Sequence, residues 1–247
     1  VILKDDDGEV AFAPLPYAEP GKVREALSAD VHTHEEAERV LSDFLLRQMG
    51  HAARKVAIAH EFVAGGSASD SERPLSIGGT DLISADVFAP YNYTALGHLH
   101  GPQKAGGKEN VRYSGSLLKY SFSEATQKKG VIVGEINGAG QVKTEFISLS
   151  PRHDVRIIKG FFDDLIKEES EDFLMAELLD EGPVIDAMAR LRQKYPRMMT
   201  IQSHRRMNSG SGERSFDLMK KVDPLDMFRV FYKEFQDKEF TEEEENY

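Results

Sequence analysis

Two short apolar runs, residues 56–59 and 93–96, constrain the fold of this chain more than any other feature. Apolar runs of this length, bounded by polar and glycine-containing segments, are typical of strands buried in a sheet. Each run is followed by histidine, His60 directly and His98 after one glycine. We therefore expect an α/β protein in which two buried strands each end in histidine.

The first 150 residues predict further strands and one long helix. Residues 1–13 predict two short strands around an Asp-Asp-Asp-Gly turn, and a proline-rich passage follows. Thr33 and Glu36 have the spacing of a capping box for a helix that ends near Gly50. Its expected apolar face comprises Ala37, Val40, Leu41, Phe44 and Leu45. Strands are also expected at residues 111–113, 130–136 and 143–149, the last two joined by a turn at 137–140.

The pattern changes after Pro151 to that of a small α+β module. Strands are expected at 155–159, 173–179 and 200–201, and a helix is expected to open at Pro183. The apolar face of that helix would comprise Val184, Ile185, Met188 and Leu191.

The C-terminal part predicts a linker followed by a helix. Residues 204–221 are rich in Ser, Gly, Arg and Lys, and Pro224 then begins an amphipathic helix before an acidic tail. Its apolar stripe contains Leu225, Phe228, Phe231 and Phe235. The stripe could pack on the chain's own core, but its place after a linker favours docking to a partner helix.

Composition excludes several classes of protein. The net charge of -11 argues against a general basic coat for nucleic acid, although a local basic patch stays open. The absence of cysteine excludes disulfides and zinc-thiolate sites and fits the cytoplasm. No apolar run approaches the ~20 residues that span a bilayer. The chain begins with Val1 and has no signal sequence, so we expect it to be part of a longer protein.

The histidines are the strongest chemical signal. His98 and His100 lie between Gly97 and Gly101, whose freedom allows a sharp turn after the strand. Neutral imidazole suits Mn, Fe, Zn and similar ions. Taken alone, His98 and His100 could belong to an ordinary surface loop. His60 alone could be a partly buried histidine that is hydrogen-bonded to a neighbouring backbone group. Three histidines at strand ends together favour a metal site.

Several ordered blocks of sequence resemble the SbcD nuclease family. They comprise residues 59–66, 69–74, 95–103 and 113–124, with later segments that start at Asp172 and Pro183. The resemblance implies a calcineurin-like metallophosphoesterase β-sandwich flanked by helices, a small α+β capping domain and a C-terminal segment that docks on an SbcC-type ATPase. The expected domains are the C-terminal part of the nuclease domain at 1–150, the capping domain at 151–203, a linker at 204–222, and the docking helix with its acidic tail at 223–247.

The resemblance also implies a two-metal site. His60 and His98 would bind one divalent ion, usually manganese, and His100 the other, for hydrolysis of phosphodiesters in double-stranded DNA. The family's exonuclease and endonuclease activities serve DNA recombination and repair. Its Asp-X-His, Gly-Asp-X-X-Asp and Gly-Asn-His motifs, which include the catalytic histidine, are expected upstream of Val1. The 247 residues alone are therefore expected to be inactive. Asp30-Val31-His32 matches the first motif in letters but leads into a helix, so we reject it.

Other interpretations stay open. Lys104, Arg112 and Lys119 lie near the histidine loop in sequence and are candidate DNA contacts, or they form an ordinary solvated face. The chain could be a non-catalytic capping and docking module in which residues 152–247 act and the histidines hold no metal. It could also belong to another calcineurin-like phosphoesterase, because that fold hosts many activities. A homodimer is left open as a further assembly.

Overall fold

The computed structural model describes residues 1–72 and 82–203, which form a mixed α/β fold with several sheets and few helices. The elements follow in the order β1 (Ile2–Asp5), β2 (Gly8–Leu15), α1 (Pro20–Leu27), α2 (His34–Gln48), β3 (Arg54–His60), β4 (Phe62–Val63), β5 (Leu82–Ile83), β6 (Tyr93–Gly97), β7 (Gln103–Ala105), β8 (Lys108–Tyr113), β9 (Gly130–Ile136), β10 (Val142–Ser148), β11 (Val155–Gly160), α3 (Phe162–Leu165), β12 (Phe173–Leu178), α4 (Ala187–Arg192) and β13 (Met198–Ser203). Short 3-10 helices lie at Ala85–Phe88 and Phe122–Glu124.

The main sheet has six strands in the order β1-β2-β3-β6-β8-β7. Strands β2, β3, β6 and β8 are parallel, and the edge strands β1 and β7 pair antiparallel to their neighbours. Parallel neighbours place their carboxyl ends at one edge of the sheet. The loops after β3, β6 and β8 therefore leave the sheet at the same edge, which is the usual place for a ligand site in such sheets.

One face of the main sheet carries small buried residues. Ala13, Ala57 and Ala59 are almost completely buried, and leucines of α2 pack against the same core. Ile58, which alternates with these alanines on β3, is 49% exposed. The strand predicted at residues 56–59 is confirmed, whereas its expected burial is wrong at Ile58.

Helix α2 begins as its sequence predicts. The hydroxyl of Thr33 accepts a hydrogen bond from the backbone N–H of Glu36, whose carboxylate accepts from the N–H of Thr33. This capping box and the end of the helix near Gly50 are confirmed. The expected apolar face is wrong at Phe44, which is 41% exposed. The buried residues of α2 are Ala37 and three polar residues, His34, Glu38 and Ser42.

The described residues fall into two compact units, one within residues 1–157 with 171–173, and the other formed by residues 158–170 with 174–203. The three-stranded sheet β11-β12-β13 and helices α3 and α4 supply a separate hydrophobic core. Its fully buried members include Phe162, Leu174 and Leu191. The domain boundaries predicted at residues 150, 203 and 222 stay predictions, and the linker and the docking helix lie outside the described residues.

The helix expected from Pro183 is much shorter than predicted. Asp186 has a left-handed backbone with φ 52°, and α4 begins only at Ala187. Ile185, which was assigned to the apolar face, is 81% exposed. A left-handed residue interrupts the right-handed helix, so Pro183 lies in a loop and not in a first turn.

The structure contains the remaining strands that the sequence predicts, and it also contains helix α1, which the sequence did not predict. The strands expected near the N-terminus and at residues 93–96, 111–113, 130–136, 143–149, 155–159, 173–179 and 200–201 are confirmed, including the 137–140 hairpin turn. Helix α1 begins at Pro20, whose fixed φ suits the first helical turn. None of the described helices has the length and apolar character that crossing a membrane requires.

Tyr113 should be important for the stability of the main sheet. Its buried hydroxyl donates to the carbonyl of Glu61 at 2.7 Å and accepts from the N–H of Val63 at 2.9 Å. We expect Tyr113→Phe to lower the free energy of unfolding by about 1–3 kcal/mol, because two buried backbone groups lose their partner. Urea denaturation would measure this. Tyr120→Phe, at a side chain that is 66% exposed, is the control and should have little effect. Equal stability of both variants would contradict this role.

Candidate metal centre

His60 and His98 lie together at the carboxyl edge of the main sheet. His60 is the last residue of β3 and pairs in register with Gly97, the last residue of β6. The ring centroids of His60 and His98 are 5.5 Å apart and the rings stand at 72° to each other. At this separation two imidazoles can contribute nitrogen ligands to one ion.

The backbone at the end of β6 has two features that accommodate the neighbouring rings of His60 and His98. A Cβ atom on Gly97 would lie 2.8 Å from Nδ1 of His60, so a side chain there would displace the His60 ring. His98 itself has φ 108°, a conformation that residues other than glycine rarely adopt. Strain of this kind is found most often at ligand sites. The arrangement therefore marks residues 97 and 98 as a candidate functional turn.

His100 lies in a separate hydrogen-bond network. Its Nδ1 is 2.8 Å from the hydroxyl of Ser71 and 3.0 Å from a carboxylate oxygen of Glu124. Its backbone N–H donates to Glu72 at 2.7 Å, and its carbonyl accepts from the ammonium of Lys129 at 2.7 Å. The imidazole is 23% exposed. His100 is thus fixed by its surroundings while its ring keeps some access to solvent.

Glu124 is the centre of this network. It is completely buried and forms an ion pair with the buried ammonium of Lys129 at 2.6 Å. Burial alone would raise the pKa of its carboxyl group. Hydrogen bonds from Lys129, Ser71, His100 and the backbone of Tyr120 outweigh burial and lower the pKa to about 2. Glu124 therefore carries its negative charge throughout the neutral pH range.

The three predicted ligands are brought together only in part. In residues 1–72 and 82–203, no three His, Asp or Glu side chains form a group that could hold an ion by themselves. The structure pairs His60 with His98 and holds His100 through Glu124. Imidazole nitrogen suits divalent transition metals such as zinc and iron, whereas manganese prefers carboxylate oxygens. The nitrogen donors fit a divalent transition metal, and ligation of manganese by these three residues stays a prediction.

The predicted DNA contacts have partners within the protein. Lys104 forms an ion pair with Glu109, and Arg112 donates to a threonine hydroxyl at 2.8 Å. Lys119 has only 8% of its side chain exposed and donates to Asp154 at 2.9 Å. These contacts favour a structural role for Lys119. A DNA contact by any of the three stays a prediction.

Sequence reasoning missed a second buried polar cluster, formed by residues of α2 and Glu61. Nε2 of His34 is 2.6 Å from a carboxylate oxygen of Glu61, and both side chains are buried. The fully buried Glu38 lies one helical turn after His34 on α2, and neither of its oxygens has a hydrogen-bond partner among the described residues. The i, i+4 spacing of His34 and Glu38, and the position of Glu61 beside His60, were the available signals.

Burial raises the pKa of the Glu38 carboxyl group to about 8, with a further contribution from the negative charge of Glu61 and an opposing one from His34. Glu38 is therefore mostly protonated at neutral pH. The two buried carboxyl groups of this cluster thus do not both have to be charged.

One comparison with known proteins identifies the C-terminal region. The family model SbcD_C, described as the Type 5 capsule protein repressor C-terminal domain, matches residues 151–235. The C-terminal region of this chain is therefore SbcD-like. The match begins after the histidine-bearing sheet, so it does not include the candidate ligands.

The pKa of Glu38 predicts a pH-dependent stability. Its folded-state pKa of about 8 lies above the ordinary 4.5, so its contribution to stability is complete below pH 4.5 and is lost as pH rises through 8. Glu38→Gln imitates the protonated form. We expect its stability advantage over the natural chain to grow across this range by up to about 5 kcal/mol. Urea denaturation at several pH values would measure it. The exposed Glu25→Gln is the control, and a pH-independent difference for Glu38→Gln would contradict the shift.

The backbone at His98 predicts an unusual order of substitutions. Glycine adopts a positive φ without strain, whereas alanine keeps the cost of about 1–3 kcal/mol. We expect His98→Gly to be more stable than His98→Ala by about 1 kcal/mol. At His60, where no positive φ occurs, alanine should be more stable than glycine by about 0.5–1 kcal/mol. If the alanine variant is more stable than the glycine variant at both positions in urea denaturation, the backbone at residue 98 is not strained.

Proposed function

We propose that this chain is part of the nuclease subunit of an SbcCD-type complex, which hydrolyses DNA phosphodiesters with two divalent ions, manganese being the expected metal. One observation carries the proposal: an SbcD-like region at 151–235 follows, in the same chain, a parallel sheet whose neighbouring strands end in paired histidines. The sheet would be one layer of a calcineurin-like β-sandwich.

In this proposal the chain supplies positioned nitrogen donors. His60 and His98 would hold one ion at the carboxyl edge of β3 and β6, and His100 would hold the other. Such ions activate a water molecule as nucleophile and neutralise charge on the phosphate. The turn at Gly97 keeps the His60 and His98 rings close, and the contacts of His100 prevent its ring from turning.

The proposed partners are double-stranded DNA and an SbcC-type ATPase subunit. The family match runs to residue 235 and so includes the apolar positions assigned to docking, which are Leu225, Phe228, Phe231 and Phe235. The net charge of -11 supports local rather than general contact with DNA. Lys104 is a better candidate contact than Lys119, because 45% of the Lys104 side chain is exposed and only 8% of the Lys119 side chain.

A second candidate is a capping and docking module without catalytic function. It is favoured by one observation, namely that the family match lies within 151–235 and leaves the histidines outside. This candidate predicts binding to the ATPase partner and no metal effect at His60 or His98. Titration of the chain with Mn²⁺ therefore separates the two functions.

The nuclease function predicts metal-dependent cleavage that requires the histidines. The full-length protein, with its intact mass established first, should degrade linear duplex DNA when Mn²⁺ is present. We expect His98→Ala and His100→Ala each to reduce the rate by at least about 100-fold, since loss of a ligand should exceed the 10–100-fold cost of losing an outer partner.

His51→Ala, which removes an exposed histidine, is the matched control and should retain the natural rate. Loss of activity in all three variants would indicate a general effect on folding. No cleavage by the natural protein at the correct mass would contradict the nuclease function. Binding to an SbcC-type subunit in that same preparation would then favour the docking module.

A further inference from the structure

The carboxylate of Glu124 is surrounded by hydrogen-bond donors. Lys129 approaches at 2.6 Å, the hydroxyl of Ser71 donates to it, and the backbone N–H of Tyr120 donates at 3.2 Å. The remaining close contact is Nδ1 of His100 at 3.0 Å. A carboxylate can only accept hydrogen bonds, so this nitrogen also has to donate.

The geometry at His100 assigns the proton of its ring. If Nδ1 had a lone pair, that lone pair would face the carboxylate of Glu124 and repel it. Ser71 could not resolve the conflict, because its single hydroxyl proton is directed to Glu124. With the proton on Nδ1, the ring donates to Glu124 and to the Ser71 oxygen. In the neutral imidazole, the lone pair is then on Nε2.

We propose that Glu124 is a positioning residue that holds His100 in the Nδ1–H form and so makes Nε2 the metal-binding nitrogen. This inference rests on the proposed function, in which His100 is a ligand. Outer carboxylates commonly orient ligating histidines in this way and make them more basic. None of the described contacts gives His60 a comparable carboxylate partner, so His60 and His100 would differ in their outer contacts.

Lys129 and Ser71 complete the arrangement. A buried carboxylate without a cation would be costly, and the ammonium of Lys129 lies within ion-pair distance while also donating to the carbonyl of His100. Lys129 therefore contacts the carboxylate of Glu124 and the backbone carbonyl of His100. The imidazole of His100 is held by Glu124 and Ser71. This division allows the positioning role to be separated from general stabilisation.

The test measures the tautomer of His100 directly. Long-range ¹H–¹⁵N spectra of the ¹⁵N-labelled, metal-free chain at neutral pH distinguish a protonated Nδ1 from a protonated Nε2. We expect the natural chain to show His100 with the proton on Nδ1. In Glu124→Gln the amide can also donate, and we expect the Nε2–H form to become populated. Titration with Zn²⁺, a diamagnetic substitute for Mn²⁺, should then show affinity at His100 weakened 10- to 100-fold.

Lys129→Gln is the matched control. It breaks the same ion pair but leaves the carboxylate beside the imidazole, so His100 should keep the Nδ1–H form even if the chain loses stability. A natural chain with the proton on Nε2 overturns the proposal without any variant, as does a Glu124→Gln chain with an unchanged tautomer and Zn²⁺ affinity. Because the tautomer is measured without metal or DNA, a failed nuclease assay would not affect this result.

Discussion

The parallel pairing of β2, β3, β6 and β8 determines where His60 and His98 lie. Neighbouring parallel strands end at the same edge, so residues far apart in sequence meet without any interaction of their own. His60 and His98 are an example, because the register of β3 against β6 places Gly97 beside His60. Gly97 has no Cβ, and this allows the ring of His60 to occupy the space above it. The imidazole pair is therefore a consequence of strand register and one glycine.

Two buried carboxyl groups show how surroundings decide charge. Glu124 and Glu38 are both fully buried, yet the pKa of the first is lowered to about 2 and that of the second is raised to about 8. Lys129 and several hydrogen-bond donors surround Glu124, whereas Glu38 has a neighbouring negative charge on Glu61. Desolvation acts in the same direction on both. The difference lies in their partners, so of these two carboxyl groups only Glu124 is charged throughout the neutral pH range.

The sequence predicted what local chemistry determines and missed what depends on distant partners. The capping box of Thr33 and Glu36 and the two strand-end histidines could be predicted, because spacing alone encodes them. The exposure of Ile58 could not, because it depends on which residues cover the outer face of the sheet. The contact of His100 with Glu124 spans 24 residues that include strands β7 and β8, and no periodic pattern indicates it. The spacing of the residues around Glu124 likewise assigns that carboxylate no role.

Residues 97–100 combine several features that a plain surface turn would avoid. His98 adopts a positive φ, which costs free energy for any residue with a side chain. The next histidine, His100, requires a buried carboxylate and a buried ammonium to hold it, although burial of such a pair seldom adds net stability. Local relaxation would remove the strain, and apolar side chains could replace the pair. The strain at His98 and the buried ion pair beside His100 are understandable if the positions of the imidazoles matter more than the stability of the turn, as a ligand site requires.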